Sequence, residues 1–147
     1  AAVVIDDEIY FTASTNGDKV PVIYKSAKPK TGSWEVVNSN FPIQNVDPDL
    51  FLDEDGRLYL YYGCSNIEPL YAVELDRTTF MPIGKPIACM NADIENNGWE
   101  RPGDYNESSE RPWTEGAWMT KFNGKYYLQY CGFSKQNSIW LSYMGRC

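Results

Sequence analysis

Two carboxylates stand out by type and by place. Asp47 opens the run DPDLFLDEDGRLYLYYGCS (47–65), and Glu115 opens EGAWMTKFNGKYYLQYCGFS (115–134). Each precedes an apolar arm, a turn and an aromatic arm. If the two runs are equivalent parts of neighbouring units, their opening carboxylates converge on one pocket. Carboxylates held close together raise one another's pKa, and partial burial adds to that. A carboxylic acid kept protonated near neutral pH is suited to cleaving a glycosidic bond; inverting enzymes of that kind hold acid and base roughly 6.5–9.5 Å apart. The chain has no His, which excludes Ser-His and Cys-His nucleophile systems and most catalytic zinc sites. Acid–base chemistry falls to the 20 Asp and Glu residues, most of them solvated surface. Plainer readings stand beside this one. Asp47 before Pro48 suits a turn whose side chain bonds nearby N–H groups. Glu115-Gly116 suits a solvated turn, and Asp49 either a second pocket carboxylate or a cap.

The elements that must position these groups read as short strands. Asp53 to Gly56 and Asn123-Gly124 are hairpin turns between apolar arms. A weaker copy opens the chain, with Asp6-Asp7-Glu8 as its turn. β-Rich units recurring at roughly 40–50 residues suggest propeller blades. The first blade spans 1–46, with strands at Val3–Ile5, Ile9–Ala13, Val20–Tyr24 and Trp34–Val37 and a turn at Asn16-Gly17-Asp18. The second spans 47–114, with strands at Leu50–Leu52, Leu58–Tyr62, Leu70–Leu75 and a Pro-interrupted Met81–Ala88. It carries a long loop at 91–113, and long ordered loops are often functional. An incomplete third blade spans 115–147, with a hairpin and a strand at Ile139–Met144. No helical periodicity of useful length is present. The fold class is therefore all-β: about two and a half to three blades of a propeller. An arc of that size leaves sheet faces uncovered, so self-association or a complementing chain is expected. A small open sheet stack is the alternative.

Composition narrows the partners. A net charge of −7 argues against nucleic acid, whose phosphates call for Lys and Arg. No apolar run of membrane-spanning length exists, and no basic-then-apolar leader is visible. Four Cys stand at 64, 89, 131 and 147 without CxxC spacing, so metal and redox motifs are not indicated. They read as buried free thiols on strands. Trp99, Arg101 and Trp113 in or beside the long loop, together with Trp118, are the candidate sugar-binding residues, although each Trp also suits packing.

Three segments resemble one family. VDPDLFLDEDGRLYLYYG (46–63), NGWERPGD (97–104) and EGAWMTKFNGKYYLQY (115–130) look like glycoside hydrolase family 43, the five-bladed propellers of the β-xylosidase and α-L-arabinofuranosidase type. The resemblance implies an inverting mechanism on xylan- or arabinan-type saccharides. It makes Glu115 the general acid and Asp47 the residue that tunes and orients it. The family's general base is an Asp in an Asp-Pro motif on its first blade. This chain begins at what resembles the second blade, and Asp6 and Asp7 lie in a hairpin turn, so neither takes that role. The first and last blades are absent from the match. No cofactor is required. The full-length family allows an axial calcium held partly through a late His, which nothing in this chain supports. The resemblance favours a secreted or periplasmic location. The other readings are a non-catalytic carbohydrate-binding propeller fragment and a truncated inactive remnant.

Overall fold

The computed structural model describes residues 1–14, 21–44, 46–103, 105–133 and 140–146. The strands are β1 (Ala2–Ile5), β2 (Glu8–Phe11), β3 (Ile23–Lys28), β4 (Ser33–Asn38), β5 (Asp49–Leu52), β6 (Leu58–Tyr62), β7 (Cys64–Ser65), β8 (Leu70–Leu75), β9 (Pro82–Met90), β10 (Trp113–Phe122), β11 (Lys125–Phe133) and β12 (Trp140–Arg146). The only helical pieces among the described residues are single 3-10 turns at Pro29–Thr31 and Gly98–Glu100. None is long or apolar enough to cross a membrane. The strands form three four-stranded antiparallel sheets, in the orders β1-β2-β3-β4, β5-β6-β8-β9 and β12-β11-β10-β7. This is an all-β propeller fold.

Local chemistry closes the hairpins. Asp6 and Asp7 both take positive φ (49° and 65°), as do Asn123 and Gly124 (50° and 69°). Two successive left-handed residues make the turn whose twist matches a right-handed hairpin. Asp53 closes the third turn: its N–H donates to the Arg57 carbonyl, and its carbonyl accepts from Gly56.

The middle sheet packs on both sides because its strands alternate. Leu50, Leu58 and Leu60 point into a core shared with Ile5 and Ile23 of the first sheet and with Phe41, which follows β4. Phe51 and Tyr61 point the other way, against Ala117, Met119, Leu128 and Tyr130 of the third. Leu58 and Phe80 are fully buried. Phe80 reaches its place at φ 56°, an uncommon conformation for a bulky residue. A turn tightened by the Asp76 side chain holds it there, accepting from Thr78 and Thr79. Phe80 then stacks on Tyr10 at 4.8 Å.

The observed strands differ from the sequence expectation in places. The third strand begins at Ile23 and runs to Lys28, since Pro21 cannot donate to a ladder. The turn at Asn16-Gly17-Asp18, residue Val20, Ile139 and Cys147 lie outside the described residues. The short β7 was not foreseen: two residues give no alternation to read. It leaves the middle sheet and completes the third on the far side of β10.

A charged clasp joins the second and third sheets. Asp53 is buried. Its carboxylate accepts from Lys121 Nζ at 2.7 Å and the Tyr126 hydroxyl at 2.5 Å. These bonds hold its pKa down at about 2. Because the folded value lies below the unfolded one, this stabilisation is complete above the ordinary aspartate range and is lost as pH falls through about 2. Asp53→Asn is expected to cost about 2 kcal/mol at neutral pH and to flatten the acid limb of the stability curve. Urea unfolding over that range checks it; parallel losses in variant and wild type would refute it.

Candidate active site

The site begins with a register. Strand β7 pairs with β10 so that Cys64 lies opposite Glu115 and Ser65 opposite Thr114. The Gly63 N–H donates to the Val46 carbonyl at 2.9 Å, which ties the residue before Asp47 to the residue before Cys64. Gly63 sits at φ 138°, a region that L side chains rarely adopt. A Cβ there would stand 3.2 Å from the Pro69 carbonyl oxygen and 3.3 Å from Leu70 Cα. Glycine is thus required by conformation and by space.

Asp47 stands ahead of β5 at φ 48°. Its N–H donates to Ser14 Oγ at 2.7 Å, and the Ser14 hydroxyl approaches Asp47 Oδ1 at 3.4 Å. Asp49 does something different. Its Oδ2 accepts from the Met119 N–H at 2.9 Å, so it clamps β5 to β10. Burial pushes the Asp49 carboxyl up, against the opposing pull of that bond. It is neither a cap nor a member of the Asp47 cluster.

Glu115 lies inside β10 rather than before it, which corrects the sequence expectation. The ladder to β11 pairs Glu115 with Cys131 and then Trp118 with Gln129, so β10 holds one extra residue in a bulge. Gly116 takes φ 65° there, the conformation of a glycine bulge. The extra residue flips the strand's parity. Thr114, Ala117 and Met119 face the core, while Trp113, Glu115 and Trp118 share the other side; Trp118 is 62% exposed. Without the bulge Glu115 would point with Ala117 and Met119.

These constraints bring Asp47, Cys64 and Glu115 together, with one side-chain donor atom of each within 4.8 Å of the others. The Cys64 thiol donates to Glu115 Oε2 at 2.9 Å. Burial, then the bond to Glu115, then the charges of Glu115 and Asp47 push the thiol up to about 12. It stays protonated at neutral pH and acts as a donor. Two carboxylates and a protonated thiol do not fit a calcium ion, which takes six to eight oxygens. The three thiols within the described residues are half-buried and unbridged rather than fully buried.

The long loop is held from beneath. Buried Glu100 accepts from the Asp93 N–H at 2.5 Å and from the Tyr130 hydroxyl at 2.6 Å. Its neighbours Trp99 and Arg101 are placed by this anchor. Arg101 Nε donates to the Ile94 carbonyl at 2.9 Å, so its guanidinium helps shape the loop. Trp99 is exposed. Trp113 belongs to β10 and stands on the face of Glu115. Sequence reasoning missed Cys64, Glu100, Ser14 and Gly63. The Gly63-Cys64 position just after an aromatic arm was the one available signal.

A model of the glycosyl hydrolases family 43 matches residues 6–138. A β-xylosidase of Xylanibacter ruminicola is 27% identical over 108 residues, covering 58% of this chain and 33% of its own length. A β-D-galactofuranosidase of Aspergillus niger is 26% identical over 144 residues, covering 92% and 36%. The chain therefore spans about a third of the length of these curated relatives. Among solved structures, a GH43_12 protein from a capybara gut metagenome superposes with a TM-score of 0.73 at 22% identity, over 97% of this chain and 26% of that one. The Bacillus subtilis arabinanase Arb43A gives 0.63 at 22%, over 99% and 49%. At such identities the superpositions establish the fold.

Gly63→Ala is expected to cost about 2 kcal/mol through backbone strain and to loosen β7 from β10. Chemical unfolding with amide exchange at Cys64 and Glu115 checks this. Wild-type exchange at both positions would refute it.

Proposed function

The chain belongs to glycosyl hydrolase family 43, and on that premise we propose that it holds the acid side of a glycosidase active site whose general base lies outside residues 1–147. Glu115 is the general acid and passes a proton to the leaving glycosidic oxygen. Asp47 modulates and orients it. The observation that carries this reading is the separation. One oxygen of Asp47 and one of Glu115 come within 4.8 Å of each other, near enough for one carboxyl group to tune the other. The residue that activates water would stand farther off, roughly 6.5–9.5 Å from the acid in an inverting enzyme. Asp6 and Asp7 do not supply it. They close the turn at the end of β1, just as Asp53 follows the end of β5, whereas Asp47 stands before the start of β5.

The substrate class we infer is a xylo- or arabino-oligosaccharide, in keeping with the β-xylosidase and arabinanase among the similar proteins. Trp113 and Trp118 share the face of Glu115 and are suited to stacking on a sugar ring. Trp99 and Arg101, on the long loop that Glu100 seats, are the further candidates for sugar contact. Exposed Val4, Phe11, Trp34 and Val36 crowd the outer face of the first sheet. That surface suits a further blade, supplied by self-association or by a complementing chain.

The test is aryl β-D-xyloside and aryl α-L-arabinofuranoside cleavage with azide as an external nucleophile. Azide attacks the anomeric carbon, the bond to the aryl oxygen breaks, and Glu115 protonates that oxygen. Little release is expected from the chain alone. Azide should restore it, and Glu115→Gln should lower the restored rate about a hundredfold. Brisk hydrolysis without azide would overturn the missing base. Sugar binding without turnover under any condition would favour a carbohydrate-binding fragment.

A further inference from the structure

We propose that Cys64 is a positioning residue for Glu115: its S–H bond occupies Oε2, so the proton delivered to the substrate sits on Oε1. This rests on the reading of Glu115 as the general acid. A carboxyl group has two oxygens and, when acidic, one proton. An oxygen that accepts an S–H bond serves as the carbonyl end, which leaves the other to carry the proton. The Cys64 Sγ to Glu115 Oε2 distance of 2.9 Å is backed by the cross-strand pairing of the same two residues. The contact is therefore built by backbone and not by a chance rotamer.

The neighbourhood favours a donor over a nucleophile. The groups facing the thiol are Glu115 on β10 and Asp47 from the segment before β5, and both disfavour a thiolate. Cys131 lies across β10 in the ladder, opposite Glu115. Cys64 and Cys131 thus flank one strand from opposite sides, two strand spacings apart (about 10 Å), which is too far for a disulfide. The short strand β7, which otherwise adds only two residues to an edge, thereby has a purpose: it delivers one hydrogen-bond donor to one carboxyl oxygen. After proton transfer the same S–H bond stabilises the carboxylate that remains.

Two readouts on the intact chain separate this inference from the reading beneath it. The first needs no turnover: peptide-resolved alkylation of Cys64 by iodoacetamide at mildly alkaline pH. Glu115→Gln should speed alkylation by about threefold or more, because removing the facing charge raises the thiolate fraction, and Asp47→Asn should do so less. An unchanged rate in Glu115→Gln would mean that burial alone protects the thiol, and would overturn the contact. The second uses the azide-assisted reaction with a phenyl and a dinitrophenyl glycoside, whose leaving groups differ in their need for a proton. Cys64→Ala should lower the ratio of phenyl to dinitrophenyl rates about tenfold, and Cys64→Ser, which keeps a donor, should restore it. An unaltered ratio in Cys64→Ala overturns the positioning role, whether or not both rates fall together. Absence of turnover in the wild-type chain counts against Glu115 as the acid, while the alkylation result still decides whether Cys64 engages it.

Discussion

The constraint on which this structure depends is the two-sided burial of the middle sheet. Strands β5 and β6 place Leu50, Leu58 and Leu60 in one core and Phe51 and Tyr61 against the other. A one-residue slip in the pairing of either strand would send leucines to the wrong partner sheet. That register fixes where β5 starts, and with it the place of Asp47 just ahead of it and of Asp49 at its first residue. The Asp49 bond to the Met119 N–H then carries the register into β10. Core packing and the position of the acidic pair are consequences of one alternation.

The third sheet uses the opposite device. Strand β10 breaks alternation at Gly116, and the break lets a polar face and an apolar face coexist on it. Thr114 and Met119 are buried, while Trp113 and Trp118 are exposed beside Glu115. A bulge re-aims a side chain without changing the fold. Strand β7 is the counterpart on the other edge. It is tied back to Val46 through Gly63, and so brings the thiol, Asp47 and Glu115 to one point from three stretches of chain. Asp53 and Glu100 do related structural work. Each is a buried acid satisfied by a tyrosine hydroxyl: one clasps two sheets, the other seats the long loop.

The hairpins were legible because their signals are local. Asp6-Asp7, Asp53 to Gly56 and Asn123-Gly124 supply turn chemistry at the right spacing, and Leu58–Tyr62 and Leu70–Leu75 are strands with the bounds that alternation predicts. The third strand starts at Ile23 rather than Val20 because Pro21 interrupts a run that otherwise reads as β. In the sequence Glu115 reads as the entrance to a strand, because Gly116 looks like a turn residue. The same positive φ serves a bulge, and only pairing with β11 distinguishes the two.

By itself, then, the sequence determined the main sheet-forming segments and the family through its acidic and aromatic motifs, and it singled out Asp47 and Glu115 as the candidates for acid chemistry. Tertiary structure decided their company. Cys64 is remote from Glu115 along the chain, and no local propensity links them. Their contact arises because a two-residue strand leaves one sheet to pair with the next, driven by backbone hydrogen bonds that sequence patterns do not encode. The division between Asp47 and Asp49 was settled in the same way. Two aspartates flanking one proline are chemically alike, and only the packing of β5 against β10 sends one to the acidic cluster and the other to a backbone N–H.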